Sequence, residues 1–196
     1  MSFNIVKEFE NKIANYYGAP YSIAVDSCTH AIELCLRLEQ PNTVSFPTHT
    51  YVGVPMLGEK LNLNWNWEKD NWIDYHNLRG TSIIDAAVYW HENSYIPGSL
   101  MCLSFQFKKH LNIGRGGMIL TDNLKSYNKL MLMSHDGRRR DEPWSEQNVK
   151  TIGYHYYMIP ELAEKGLKKL NQAINTPPRQ GSYADYPDLR NMDVFK

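Results

Sequence analysis

The chain has 196 residues, and its 21 Lys plus Arg balance 21 Asp plus Glu, so the formal net charge is zero. A neutral chain lacks the basic excess that nucleic acid or an anionic membrane surface attracts, so neither partner is predicted. No apolar run reaches membrane-spanning length, no signal-peptide pattern opens the chain, and the three cysteines have no metal-ligand spacing. We therefore expect a cytoplasmic domain with reduced thiols, no metal site and a small-molecule ligand.

Residues 3–25 predict a helix followed by a strand. Apolar side chains recur at three- and four-residue steps from Phe3 to Tyr17, as in an amphipathic helix, and Gly18 and Pro20 end it. Tyr21–Val25 is a short, mostly apolar run of the kind that forms a buried strand. A second helix is predicted from about residue 30 to residue 38.

The turn between this strand and the second helix is Asp26-Ser27-Cys28-Thr29. The free N–H groups of the helix start and the hydroxyls of Ser27 and Thr29 converge there, an arrangement suited to an anion because the helix dipole adds to it. Capping of the helix by Ser27 or Thr29 explains the same residues without a ligand. Both interpretations are open from the sequence.

Three further strands are predicted before residue 90. Residues 43–46 predict a short strand stopped by Pro47, and Tyr51 follows it, placed either to stack on a flat ligand or to fill the core. Residues 61–67 alternate apolar and polar side chains, which predicts a strand with one solvated face. Residues 81–84 predict a buried strand that delivers Asp85 to the sheet edge where ligands bind, with helix capping as the alternative.

A pair of lysines lies in the turn between two more predicted strands, residues 100–103 and 118–121. Lys108 and Lys109 would sit at the edge of a packed sheet, where burial lowers the pKa of an amine and favours its attack on a carbonyl. A solvated turn is the alternative, because most lysines near turns face water. The glycines at 114, 116 and 117 allow close approach of a ligand, but they precede a strand and so do not fit a dinucleotide fingerprint.

The last third of the chain predicts helices separated by a charged loop and an aromatic segment. Residues 124–131 have helical periodicity, residues 135–142 contain three arginines among acidic neighbours, and residues 153–158 are aromatic ahead of a final helix. The loop is predicted to be solvated, although its arginines suit a phosphate or carboxylate. The fold class is therefore α/β, a mostly parallel central sheet flanked by helices, with a domain at 1–175 and an extended tail at 176–196 lying over that domain or a partner.

Six short motifs occur in a recognisable order: Val25-Asp26-Ser27-Cys28-Thr29-His30-Ala31, Pro47-Thr48-His49-Thr50-Tyr51-Val52, Asp85-Ala86-Ala87, Ser104-Phe105 to Lys109, Gly114-Arg115-Gly116-Gly117-Met118 and Gly153-Tyr154-His155-Tyr156. This series resembles the DegT/DnrJ/EryC1/StrS family, pyridoxal-phosphate enzymes of fold type I. Most of them are sugar aminotransferases that aminate a keto-sugar carried on a nucleotide. The resemblance spans roughly residues 3–170.

The resemblance implies pyridoxal 5′-phosphate as the cofactor and assigns a role to each motif. Lys109 ends the Ser-Phe-x-x-x-Lys spacing counted from Ser104 and would form the Schiff base, with Lys108 as the fallback. Asp85 would pair with the pyridine nitrogen. The remaining implied contacts are those to the ring faces (Ala87 and Tyr51), to the phosphate (Ser27, the backbone at Cys28, Thr29 and Ser104) and to the phosphate of a neighbouring subunit (His155).

The resemblance also implies the reaction and the assembly. It predicts a two-stage transamination with an amino-acid donor, by resemblance glutamate, in which the freed Lys109 amine moves the proton. It further predicts a homodimer whose subunits share the site.

Several positions depart from the family pattern. The family has Gly at Cys28, Gln at Val88 and Asn at His155. It also carries a strand and a helix between the Trp65 strand and Asp85, and a small domain after the last helix, which this sequence does not show. A non-catalytic cofactor-binding or assembly module with the same fold is therefore the alternative. A sugar dehydratase, which has histidine in place of the lysine, fits less well because His110 lies one position late.

Overall fold

The computed structural model, which describes residues 3–196, contains the helices and strands that the sequence predicts and adds a short helix at Met56–Lys60 and a two-residue strand at His76–Asn77. The helices are α1 (Asn4–Tyr17), α2 (Cys28–Glu39), α3 (Met56–Lys60), α4 (Leu124–Ser134) and α5 (Pro160–Ile174). The strands are β1 (Tyr21–Val25), β2 (Val44–Pro47), β3 (Trp65–Glu68), β4 (His76–Asn77), β5 (Ile83–Asp85), β6 (Leu100–Ser104) and β7 (Gly117–Thr121).

The helix ends follow from local chemistry. α1 ends at Gly18, which adopts φ 74 and donates its N–H back to the helix, as expected for a left-handed C-cap. α2 begins at Ser27, whose side chain accepts a hydrogen bond from the N–H of His30. α5 opens with Pro160, which fits the first helical turn because that turn needs no N–H donor there.

The larger sheet has the strand order β1-β7-β6-β5-β4 and is mixed. The α/β class and the fold type I architecture are confirmed, but the expectation of mostly parallel pairing is wrong for this sheet. Only β5 and β6 pair in parallel, whereas β1 with β7, β6 with β7 and β4 with β5 are antiparallel. The reason is that β6 connects to β7 and β4 to β5 without a crossover helix, and short connections return the chain antiparallel.

The segment before Asp85 shows how the shortened region folds. β4 and β5 form a hairpin across residues 78–82, and Asn77 pairs with Ile84. β2 and β3 form a separate parallel pair, which a bridge between Ser45 and Arg79 links to the hairpin turn. The strand predicted over 61–67 begins only at Trp65, because the chain first completes the turn that ends α3.

Two hydrophobic clusters lie on the two faces of the larger sheet. One contains α1 and α5 residues, including Phe9 and Leu170, packed against β6 and β7. The other contains α2 and α4 residues, including Leu34 and Leu130, packed against the opposite sheet face. The result is a three-layer α/β arrangement in which the sheet is covered on both sides.

The C-terminal segment, residues 176–196, packs back on the domain. Ser182 forms a bridge with Ile73, and the N–H of Tyr183 donates to the carbonyl of Trp72 at 3.1 Å. The Leu189 side chain is buried, and the Phe195 ring meets the Trp67 ring edge-on at 5.2 Å. Short 3-10 turns replace the extended conformation that the sequence predicted. Within residues 3–196, no helix has both the length and the apolar character required to span a membrane.

Candidate active site

A cavity of about 580 Å³ opens where β5 and β6 end. Its inner surface contains four residues predicted for the site, Asp85, Ala87, Ser104 and Lys109. The turn into α2 contributes Ser27, Cys28 and Thr29, and Tyr51 lies at the rim with about half of its surface exposed. The fold therefore brings eight of the nine predicted site residues to one cavity of a size typical for small-molecule sites.

Lys109 and Asp85 both affect the pKa of the Cys28 thiol. The Cys28 Sγ lies 4.0 Å from Asp85 Oδ1. Burial raises the pKa of the Cys28 thiol well above its usual value, the Asp85 carboxylate raises it further, and the Lys109 ammonium opposes both. Both charges therefore influence the Cys28 thiol, and their joint role in holding a cofactor stays a prediction.

Lys109 is better placed than Lys108 for chemistry inside the cavity. Both side chains line it, but Lys108 is exposed and its Nζ lies 5.7 Å from the centre of the Phe107 ring. Lys109 is half-buried, and its N–H donates to the carbonyl of Gln106 at 2.8 Å, which closes the turn after β6. Lys109 is therefore the less exposed of the two lysines that line the cavity, and its role in the Schiff base stays a prediction.

Asp85 is buried and held from two sides. Its Oδ1 accepts a hydrogen bond from the N–H of Ala87 at 3.0 Å, and its Oδ2 lies 3.5 Å from His76 Nε2. The contact to Ala87 is a local turn, and the helix-capping interpretation of Asp85 is wrong because no helix follows. The carboxylate is therefore fixed at the cavity by its own backbone and by a neighbouring strand.

His76 is a residue that the sequence analysis missed. It lies on β4 opposite Asp85, is almost fully buried, and its Nε2 lies 3.1 Å from Thr50 Oγ1. Burial lowers the pKa of His76, although the Asp85 charge opposes this, so the ring is neutral near pH 7. The only sequence signal was a histidine within a polar, aromatic stretch, and the unpredicted hairpin is what brings it to Asp85.

The turn into α2 confirms the capping interpretation drawn from the sequence, whereas anion binding there stays a prediction. Ser27 caps the helix through its side chain, and the residue also lines the cavity. Gly117 on β7 lies directly behind the turn: a Cβ there would lie 2.6 Å from the backbone N of Cys28 and would overlap the Ser27 carbonyl carbon. A glycine is thus required at 117 because the strand and the turn approach at backbone distance.

A charged cluster borders this turn. Asp26 Oδ1 lies 2.5 Å from His30 Nδ1, and Arg115 Nη2 donates to Asp26 Oδ2 at 2.9 Å. The His30 ring stacks on Tyr156 with the ring centres 3.7 Å apart. Arg115 also lines the cavity, so the glycine-rich loop adds a guanidinium at its mouth that the sequence analysis did not single out.

His155 is the predicted site residue that does not line the cavity of its own chain. Its Nδ1 lies 3.0 Å from Asp136 Oδ2, its Nε2 lies 3.1 Å from the Tyr157 hydroxyl, and the side chain is mostly exposed. A position outside the cavity is compatible with the predicted contact to a neighbouring subunit, which stays a prediction.

The outer wall of the cavity comes from the C-terminal segment. Arg179, Gln180, Gly181, Asp185 and Tyr186 line it, and the Arg179 guanidinium pairs with the Asp185 carboxylate. Burial raises the pKa of Tyr186 to about 12, helped by the negative charge of Asp85. The sequence predicted only that the tail covers the domain or a partner, and nothing in its pattern indicated which surface.

Comparison with solved structures defines the class of fold. AtS13 from Actinomadura melliaura superposes with a TM-score of 0.78 at 19% identity, covering 88% of this chain and 61% of that one. PseC of Helicobacter pylori, an aminotransferase involved in the biosynthesis of pseudoaminic acid, gives a TM-score of 0.72 at 15% identity, covering 87% of this chain and 58% of that one. The architecture is that of the fold type I pyridoxal-phosphate aminotransferases.

The family follows from sequence. The model of the DegT/DnrJ/EryC1/StrS aminotransferase family matches residues 1–57 and 96–186, and the chain belongs to this family. GDP-perosamine synthase of Escherichia coli O157:H7 is 22% identical over 228 aligned residues, which cover 93% of this chain and 62% of that protein. The chain thus spans less than two thirds of this curated relative. The predicted cofactor, pyridoxal 5′-phosphate, is confirmed as the cofactor of the family.

The stretch that the family model leaves unmatched, residues 58–95, contains the β4–β5 hairpin and Asp85 itself. The correspondence of Asp85 to the family acid therefore depends on the Asp-Ala-Ala motif and on its position in the cavity. This is also the region where the sequence lacks the strand and helix that the resemblance implies.

Proposed function

We propose that this chain is a pyridoxal-phosphate-dependent aminotransferase that aminates a keto-sugar nucleotide with an amino-acid donor, glutamate by resemblance. The observation that carries the proposal is that Lys109 and Asp85, from separate strand ends, line one cavity with a hydroxyl-bearing helix start. Family membership supports the reaction class, and the name of GDP-perosamine synthase supports a nucleotide-linked sugar as the substrate class.

The residues of the cavity fit this cofactor by the chemistry of their donors and acceptors. Asp85, a buried carboxylate, would accept a hydrogen bond from the pyridine nitrogen. Tyr51 and Ala87 would lie against the two faces of the ring. The phosphate would be held by Ser27, the backbone at Cys28, Thr29 and Ser104, where the start of α2 supplies N–H groups and a favourable dipole.

Within that arrangement each residue has a distinct task. Pyridoxal phosphate, when bound, supplies the electron sink that amino-group transfer requires. The Asp85 carboxylate keeps the pyridine nitrogen protonated, and His76 holds Asp85 in place while remaining neutral. Lys109 Nζ would take a proton from the carbon that loses the amino group and deliver it to the carbon that gains it, which is general acid/base catalysis.

We further propose a homodimer in the cytoplasm. Exposed apolar side chains precede His155 in the loop before α5, among them Trp144 and Ile152, and such a surface suits contact with a second subunit. In that assembly His155 would reach the cofactor phosphate of the neighbouring subunit. The three free cysteines are consistent with a reducing compartment.

Absorption spectroscopy of the full chain with added pyridoxal phosphate tests cofactor attachment. We expect a visible band from the lysine-bound cofactor, which Lys109→Ala abolishes. Lys108→Ala is the matched control, because Lys108 lines the same cavity from an exposed position, and it should keep the band. A band that survives Lys109→Ala and disappears with Lys108→Ala would assign the role to the other lysine.

Addition of glutamate to the loaded protein separates the enzyme from the alternative, a non-catalytic module. We expect the visible band to convert to the absorption of the amine form of the cofactor. Val88 favours the module, because it cannot make the hydrogen bond of the family Gln. Stable binding with no conversion by glutamate or by other amino acids would support the module and contradict the aminotransferase proposal.

A further inference from the structure

The C-terminal segment meets the cavity at a position where the sequence departs from the family. Gly181 packs on Val88: a Cβ at 181 would lie 2.5 Å from Val88 Cγ2. The carbonyl of Gly181 accepts a hydrogen bond from the N–H of Asp74 at 2.7 Å, which fixes this contact. Val88 and Gly181 therefore fit each other closely, because one has a small apolar side chain and the other has none. This contact holds the C-terminal segment against the cavity.

Backbone hydrogen bonds hold the same segment on both sides of this contact. Tyr183 donates to Trp72, and further along Leu189 donates to the carbonyl of Thr48 at 2.9 Å. The turn at 183–185 is stabilised by a capping box between Ser182 and Asp185. The outer wall is thus a folded element of defined conformation that presents particular side chains to the cavity.

Tyr186 is the aromatic residue that this element directs inward. Its half-buried ring lines the cavity and packs on Trp72 with the ring centres 5.7 Å apart. Trp72 in turn lies 5.1 Å from the His76 ring, which contacts Asp85. Burial raises the pKa of Tyr186 to about 12, and the negative charges of Asp85 and Asp185 contribute, so its hydroxyl is a protonated donor across the neutral range.

We propose that residues 179–186 are part of the ligand-binding site and that Tyr186 is a cofactor-positioning residue, donating a hydrogen bond from its hydroxyl to bound pyridoxal phosphate. This inference rests on the proposed function, because it assigns a contact to the cofactor of the same cavity. It also accounts for the departure from the family at Val88. The Tyr186 hydroxyl would supply a hydrogen-bond donor in place of the family Gln, because the valine side chain has none.

A pair of conservative variants isolates the hydroxyl. Tyr186→Phe keeps the ring and its packing, and Tyr183→Phe is the matched control, because Tyr183 lies in the same turn but does not line the cavity. We expect the dissociation constant for pyridoxal phosphate, measured by absorption titration, to rise about three- to tenfold in Tyr186→Phe, as for loss of one hydrogen bond. Tyr183→Phe should bind as the wild type does, and the melting temperatures should agree.

A second pair of variants tests the contact between Gly181 and Val88 that holds the segment in place. Gly181→Ala forces a methyl group into Val88, so we expect the segment to shift and cofactor affinity to fall about tenfold. Adding Val88→Gly removes the whole opposing side chain, whose Cγ2 and Cβ would lie 2.5 and 2.8 Å from the new methyl group, and should restore most of that affinity. In the wild type, hydrogen exchange of the amides at 179–186 should slow when pyridoxal phosphate is added.

The outcomes are distinct. A wild type that binds no cofactor overturns the proposed function and this inference together. A wild type that binds it normally, with equal affinity in Tyr186→Phe and unchanged exchange at 179–186, overturns this inference alone. Tighter binding in Gly181→Ala also overturns it, because the segment would then be a strap that obstructs the site.

Discussion

The inner and outer walls of the cavity differ in how they are built. The inner wall comes from strand ends and a helix start, with Asp85 on β5, Lys109 after β6 and Ser27 before α2, each positioned by the sheet. The outer wall is a C-terminal segment held by a few backbone hydrogen bonds and the contact between Gly181 and Val88. The inner wall therefore has the rigidity of the core, whereas the outer wall can change with local substitutions.

The largest effect is expected from removing the charge of the inner wall. Asp85→Asn keeps the shape of the side chain but loses the negative charge, and we expect amino-group transfer to slow about a hundredfold or more, the size seen when one preorganised electrostatic contact is removed. Single-turnover kinetics with glutamate measure this. Asp185→Asn is the control on the outer wall of the same cavity, and a comparable loss there would contradict the distinction between the walls.

The next effect concerns the approach of β7 to the turn into α2. Gly117→Ala places a methyl group against the backbone of Ser27 and Cys28, so we expect about 2–3 kcal/mol of lost stability and at least about tenfold weaker cofactor binding. Gly166→Ala is the matched control: its Cβ would lie 2.6 Å from the Phe9 ring, away from the cavity. Urea denaturation should show a loss in both variants, and cofactor titration a loss in Gly117→Ala alone.

A smaller and more local effect is expected from the anchor of the outer wall. Leu189 is buried, and Leu189→Ala should release the segment at a cost of about 2 kcal/mol, at the low end for such truncations. Hydrogen exchange of the Leu189 amide should then accelerate about 30-fold, by the conversion of 1.4 kcal/mol per factor of ten. The Ala86 amide, which donates to Cys102 on the inner wall, should keep its protection. Equal acceleration at both amides would show that the two walls unfold together.

The prediction with the smallest effect on the cavity concerns His135, which lies on neither wall. Burial and, to a smaller extent, the neighbouring Arg140 and Arg138 together lower its pKa to about 4. The pKa of His135 is about 6.5 in the unfolded state and about 4 in the native state, so between these two pH values only the unfolded state binds the proton. The free energy of unfolding should therefore fall as the pH drops from about 6.5 to about 4. His135→Gln should flatten that slope in urea denaturation series. Parallel curves for the two proteins would contradict the assignment.

The inner wall was predictable from the sequence because its residues occur in short motifs next to strand ends. Asp85 and Lys109 follow apolar runs, and Ser27 precedes a helix, so local periodicity predicts where their backbone lies. The mixed pairing of the sheet was not predictable in the same way. It depends on whether a connection contains a crossover helix, and the shortened region around residues 69–82 has no periodicity that distinguishes a hairpin from a loop.

The outer wall could not be predicted because its position depends on contacts distant in sequence. Gly181 meets Val88, and Leu189 meets Thr48, across separations that no local pattern encodes. His76 was missed for the same reason, since it reaches Asp85 only through a hairpin that pairs two short strands. The family motifs predicted the residues of the inner wall, whereas tertiary packing determines which residues form the outer wall.

The turn at Arg79 and Gly80 has a consequence for how this sheet tolerates changes in length. Arg79 bridges to Ser45 and Gly80, at φ 92, sits against the carbonyl of Thr43, so one tight turn joins the β2–β3 pair to the larger sheet. The chain therefore needs no long connection to hold β5, the strand that ends at Asp85, in the larger sheet. A change in chain length within this turn would disrupt the bridge to Ser45 or the close approach of Gly80 to Thr43, so we expect it to disturb the strand that carries Asp85.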